Sequence, residues 1–277
     1  MHVKNQLENY LFYLKEMERA ELTIKKYRHD ILAMLTFCHV EKTSQLTKDC
    51  LIAYKQAMQQ QYVATTVNAA IAAINGFLKY IGRNDCCLRP LRVQHASYRN
   101  ENRELKQSEY FRLLKVATHR NPRTACLLET ICSTGIRVSE VRYITAESKK
   151  GFATICNKGK IRVVVLPDML CSHLKEYCHA SKIEHGPIFV KRNGHPIHRA
   201  TIWHEFKKLC VEAQVKIGKV FPHNLRHLFA MAFYHAHHDL EHLACILGHS
   251  NINTTRIYTR ANCAEYRKQI NALILIR

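Results

Sequence analysis

Leu7, Tyr10, Leu11, Leu14 and Met17 recur at intervals of three and four residues, the spacing of one apolar stripe on an α-helix. That spacing returns along most of the chain. It gives way to two β-branched runs, residues 152–156 and 161–166, set around Asn157-Lys158-Gly159-Lys160, and to a short apolar run at 187–190. A chain so patterned folds as a mostly helical α+β protein whose antiparallel sheet is small.

Residues 1–82 read as four helices. Thr23 is placed to cap the second, with Tyr27, Ile31, Met34 and Leu35 inward. Thr47 caps a third running through Leu51, Tyr54 and Met58. Thr65 precedes a fourth over 67–80, where Ala69, Ala70, Ala72 and Ala73 permit close helix contact, and Gly82 ends it. Residues 83–104 lose the periodicity and carry Arg83, Arg89, Arg92, Arg99 and Arg103. They are expected to form a linker that flanks a phosphate backbone.

A second domain is expected over 105–277. Ser108 is placed to cap its first helix, and Asn121-Pro122 is a cap followed by a first-turn proline, opening a helix that stops near Gly135. The two β-branched runs make a hairpin with a basic tip, and 187–190 a further strand. Helices are expected at 169–179, 200–213, 224–236, 240–247, 252–259 and 264–274.

The 42 Lys and Arg against 22 Asp and Glu give a net charge of +20, with +5 on residues 1–102 and +15 on 103–277. A surplus of this size points to an anionic partner, nucleic acid first. Only nine Gly and six Pro among 277 residues exclude a disordered or collagen-like chain. No apolar run approaches the roughly 18–20 residues that cross a bilayer, and charges at Lys4, Glu8, Lys15 and Glu16 argue against a signal peptide. A soluble, cytoplasmic protein is expected. None of the 12 Cys forms a C-x-x-C pair, so reduced cysteines are expected, with Cys126, Cys132, Cys210 and Cys245 packed in a core. His238 and His242 have a metal-chelating spacing but lack the H-E-x-x-H glutamate, and with His235 and His237 they are read as a polar helix end.

Three segments carry chemistry: Ser133-Thr134-Gly135-Ile136-Arg137-Val138-Ser139-Glu140, His223-Asn224-Leu225-Arg226-His227, and Leu247-Gly248-His249 followed nine residues later by Tyr258. His223 and Arg226 leave one face of a helix start, where free N–H groups favour an anion. Two arginine forks, Arg137 and Arg226, match the oxygens of one phosphate. Tyr258 can serve as a covalent nucleophile, and the hairpin tip offers Lys158 or Lys160 as proton donor. The order T-G-I-R-V-S-E, Lys-bearing hairpin, H-x-L-R-H, L-G-H and I-Y closely resembles the tyrosine recombinase (phage integrase) family.

The resemblance implies an N-terminal SAM-like core-binding domain and a catalytic domain in a Xer-like two-domain arrangement. It implies that Arg137 and Arg226 hold the scissile phosphate and that Tyr258 attacks it, leaving a 3′-phosphotyrosyl bond and a free 5′-hydroxyl. Lys158 would protonate the leaving oxygen, although this hairpin is one residue shorter than G-K-G-x-K-x-R and Lys160 is the alternative. His223 would assist at the tyrosine and His249 would bond the phosphate. Neither metal nor ATP is implied. The partners implied are double-stranded DNA bearing a short inverted repeat and further copies of the chain, as a tetramer; the apolar stripe of the tail (Tyr266, Ile270, Leu273, Ile274, Ile276) is expected to pack in trans on a neighbouring copy, with folding in cis onto its own domain the alternative. His227 is expected to make a helix-stabilising hydrogen bond, and Glu140 either orients an arginine or caps a helix. A topoisomerase using the same tyrosine, or a DNA-binding regulator, are the rival readings.

Overall fold

The structure, a computed structural model, describes residues 2–92, 101–157, 160–191, 193–249 and 251–259. It divides into two units, residues 1–95 and 96–277.

In the first unit, α1 (Val3–Glu16), α2 (Glu21–Phe37), α3 (Lys48–Gln61) and α4 (Ala64–Tyr80) surround a core that includes Leu7, Ile31, Met34, Leu51, Ile74 and Phe77, all nearly or fully buried. Thr47 caps α3 as expected, its Oγ1 accepting the Cys50 N–H at 3.3 Å. Thr23 does not cap α2. The helix begins two residues earlier at Glu21, which pairs with Lys25 at 2.6 Å. Thr65 lies inside α4, and Gly82 follows that helix with φ +76°.

Beyond Gly82, residues 83–92 run along α4. Asn75 holds both the N–H and the carbonyl of Leu88 at 2.8 Å, and Asn68 does the same for Leu91 at 2.7 and 2.9 Å. Arg83 binds Asp85 and the Thr43 carbonyl instead of standing free.

The second unit opens with α5 (Gln107–Arg120). Ser108 lies within it, and the orphan Lys106 N–H is satisfied by the Glu109 carboxylate at 2.8 Å. α6 (Pro122–Thr134) is capped by Asn121, has proline at its first position and ends on Gly135 at φ +64°. β1 (Phe152–Asn157) and β2 (Lys160–Val165) form the antiparallel hairpin, with Phe152 opposite Val165 and Ile155 opposite Arg162. Ala153, Ile155 and Val164 face the core. α7 (Asp168–Ala180), α8 (Arg199–Leu209), α9 (Pro222–His237) and α10 (Leu240–Leu247) follow.

Two sequence expectations change here. Residues 187–190 make isolated bridges, Thr145–Pro187 and Val190–Pro196, in place of a strand. Residues 252–259 form two 3-10 turns, not one α-helix, because Asn251 and Thr254 bond locally and draw the backbone into turns. The tail expected to be helical at 264–274, and the cis or trans packing of that tail, lie outside the described residues.

Cys126 and Cys210 are buried and Cys132 partly so, whereas Cys245 is exposed on α10. No helix among the described residues is long and apolar enough to cross a membrane.

Candidate active site

α6 and α9 pack against each other and bring the Gly135–Glu140 turn to the start of α9. The Phe229 ring occupies the space beside Gly135: a Cβ there would lie 2.7 Å from Cε1, at a φ that L-residues avoid. Glycine is therefore required for the two helices to bring Arg137 and Arg226 together.

Arg226 is the centre of the site and only 3% exposed. It donates to the Gly135 carbonyl at 2.7 Å, to the Leu247 carbonyl at 2.8 Å and to His249 Nε2 at 2.9 Å. Its charge also acts on the Tyr258 hydroxyl nearby. Burial, and then the charge of Arg137, lower its pKa to about 10, so it stays protonated at neutral pH.

Because arginine can only donate, His249 Nε2 must be an acceptor, and the ring proton sits on Nδ1, 2.8 Å from Thr255 Oγ1. Burial and the neighbouring Arg226, Arg137 and Arg162 bring His249 down to about 4. His223, in the first turn of α9, is likewise lowered by burial and by Arg226 and Arg137. Both are neutral imidazoles at physiological pH.

Tyr258 is 2% exposed, set among Ala230, Met231, Leu243 and Leu247. Burial raises its pKa, and Arg226 and Arg137 oppose that shift. The His227 ring lies edge-on to Tyr258, with centroids 5.2 Å apart, a packing contact in addition to any hydrogen bond it makes.

Arg137, with 40% of its side chain exposed, donates to Glu140 at 3.1 Å and to the Gly248 carbonyl at 3.4 Å. Glu140 is 1% exposed and also accepts the Arg137 backbone N–H at 2.8 Å. It therefore orients an arginine. A cavity of about 730 Å³ opens beside the cluster, lined in part by Arg137, His223, Arg226, Trp203, His204 and Phe221.

The structure thus unites five of the six expected residues: Arg137, His223, Arg226, His249 and Tyr258. Lys158 lies outside the described residues. The backbone of Lys160 lies in β2, directly opposite Asn157. Thr255 and Arg162 join the cluster unannounced; only the Lys-x-Arg spacing of the hairpin hinted at Arg162. Of the histidines read as a polar helix end, His237 and His242 pack on Phe233, and His238 on Tyr234. Among the described residues no three His, Cys, Asp or Glu side chains converge as a metal site would need.

A helical unit followed by a mostly helical one, with arginines, histidines and a tyrosine gathered about one guanidinium, defines the tyrosine recombinases. The chain belongs to the phage integrase family: residues 103–265 match its catalytic domain, and residues 7–84 match the phage integrase N-terminal SAM-like domain. Among its relatives, the tyrosine recombinase XerD of Staphylococcus saprophyticus is 27% identical over 96% of this chain and 97% of its own. The tyrosine recombinase XerA of Pyrococcus furiosus is 26% identical over 98% and 94%. The fold is shared with lambda integrase (75-356) in a dimer bound to a COC′ core site (TM-score 0.75, 14% identity, 93% of this chain and 95% of that one). It is shared also with XerH site-specific recombinase bound to difH substrate (TM-score 0.70, 20% identity, 92% and 80%).

Proposed function

We propose that this chain is a site-specific DNA recombinase in which Tyr258 attacks a scissile phosphate held by Arg137 and Arg226. The observation that carries the reading is the placing of Arg226: one buried guanidinium bonds His249 and lies close enough to Tyr258 to act on its hydroxyl. A phosphate replacing the carbonyl acceptors on Arg226 would sit beside the nucleophile of the same chain, with the partly exposed Arg137 supplying a second fork in place of its bond to the Gly248 carbonyl. The tyrosine oxygen forms a bond to phosphorus as the P–O5′ bond breaks. The tyrosine proton passes to a base, for which neutral His223 is suited, and the departing 5′-oxygen is protonated by Lys158, or by Lys160 in the alternative reading. The 3′-phosphotyrosyl bond conserves the phosphodiester's energy, so a 5′-hydroxyl from a partner strand can reverse the step without ATP or metal.

The substrate is double-stranded DNA with a short inverted repeat. Relatives' structures include a lambda integrase tetramer bound to a Holliday junction, and the same assembly is proposed here: four copies on two paired sites. The domain limits are 1–82, 83–104 and 105–277, and the protein works in the cytoplasm, where its DNA lies.

The test is a nicked suicide duplex carrying candidate repeats. Wild-type protein forms a covalent adduct mapped to Tyr258, and Tyr258→Phe forms none while binding the same DNA. An adduct on another residue, or one formed by Tyr258→Phe, overturns the assignment.

A further inference from the structure

Arg162 stands outside the six residues assigned above. It projects from the inner face of β2, opposite Ile155, and its guanidinium meets two other segments. Nη2 donates to Glu140 Oε2 at 2.8 Å, and Nη1 donates to the Ile246 carbonyl. The side chain passes close to Gly248, where a Cβ would lie 2.9 Å from Cδ and Nη1. The glycine of Leu-Gly-His therefore leaves room for Arg162 as well as ending α10 at φ +63°.

We propose that Arg162 is a positioning residue for the phosphate-binding half of the site, acting on Arg137 through the shared Glu140 and on His249 through the Gly248 turn. The charge balance supports this. The buried Glu140 carboxylate is shared by both guanidiniums, and Arg137, the more exposed of the two, presents its charge toward solvent. Without Arg162 the carboxylate remains buried with Arg137 as its remaining arginine, and it draws that fork inward and neutralises it. The turn carrying His249 loses its backbone contact to β2 at the same time. This rests on the reading that Arg137 and His249 hold the scissile phosphate.

Arg162 is also near the hairpin tip, so a rival route runs through the hairpin lysine. A substrate with a 5′-bridging phosphorothiolate separates the two, because a sulfur leaving group needs little protonation. Single-turnover cleavage would be measured for wild type, Arg162→Ala, Arg162→Lys, Glu140→Gln, the Arg162→Ala/Glu140→Gln double variant, and a Lys158→Ala/Lys160→Ala control, on oxygen and sulfur substrates.

Arg162→Ala is expected to slow cleavage roughly ten- to a hundredfold, less than loss of a direct donor costs, with no rescue by sulfur. The Lys158→Ala/Lys160→Ala control is rescued. The loss from Arg162→Ala shrinks in the Glu140→Gln background, as expected for residues acting as a unit. Arg162→Lys recovers part of the rate, and its cleavage stands in if the alanine variant melts at the assay temperature. Wild-type rates in the Arg162 variants, rescue by sulfur equal to the lysine control's, or an undiminished loss in the Glu140→Gln background would each overturn the proposal. A control that sulfur fails to rescue refutes the general-acid reading instead, and leaves the Glu140 coupling as the measure of Arg162.

Discussion

A histidine that accepts a hydrogen bond from an arginine cannot also carry a proton on that nitrogen. His249 is in that position, between Arg226 and Thr255, and burial and three arginines hold it at about 4 against a usual 6.5. The unfolded chain therefore takes up this proton first as pH falls. Stability contributed by the neutral ring is intact above pH 6.5 and drains away between there and pH 4. His223 shifts in the same direction. Melting temperature is thus expected to drop more steeply over that window in wild type than in His249→Gln; parallel curves would show that the ring is not held neutral. The residues carrying this chemistry were legible because they sit in ordered motifs: glycine before Arg137, a helix start before Arg226, glycine before His249. Glu140, Arg162 and Thr255 were harder. Their roles come from pairings across 22 residues of chain, or across a turn whose shape no periodicity announces.

At the scale of elements, backbone chemistry decides what could be read. α6 was read from Asn121, Pro122 and Gly135 because cap, first-turn proline and terminal glycine each act locally. Thr23 and Ser108 misled because a hydroxyl near a helix start marks the neighbourhood, not the first residue. The helices begin at Glu21 and Gln107. The span 252–259 misled because its apolar spacing is helical while Asn251 and Thr254 bond locally. Gly135 is the element-scale hinge of the site, since it ends α6 and receives Phe229 from α9. Gly135→Ala adds a Cβ at positive φ inside the Phe229 ring, and a cost of about 2–4 kcal/mol is expected from backbone strain plus overpacking. Denaturant midpoints would check it. Phe229→Leu in the same chain should return part of the loss; a double variant whose losses simply add would place the strain in the backbone alone.

For the whole molecule, the 42 Lys and Arg overstate how many cations DNA can contact, although internal pairing leaves the net +20 unchanged. Arg83 is tied to Asp85, Arg120 to Glu212, Arg123 to Glu205, Arg162 to Glu140, and the nearly buried Lys219 to Glu109. Each pair lies within one unit and occupies a basic residue internally, as sequence composition alone could not reveal. The remainder still weights the second unit, where 103–277 carry +15. If that excess meets phosphates, each contact releases condensed counterion, and log K falls against log salt with a slope of about −0.9 per phosphate. With roughly 6–10 contacts, affinity is expected to fall about 10³- to 10⁵-fold between 50 and 200 mM salt. Tyr258→Phe removes no charge and should keep the wild-type slope. Arg137→Ala removes one proposed phosphate ligand and should lower the slope by about one, whereas Arg83→Ala, whose charge is already spent on Asp85, should leave the slope unchanged while weakening the fold around Thr43. A slope near zero in wild type would mean that the charge surplus serves something other than a phosphate backbone, and a slope change in Arg83→Ala equal to that of Arg137→Ala would mean that internal pairing does not decide which arginines reach the DNA.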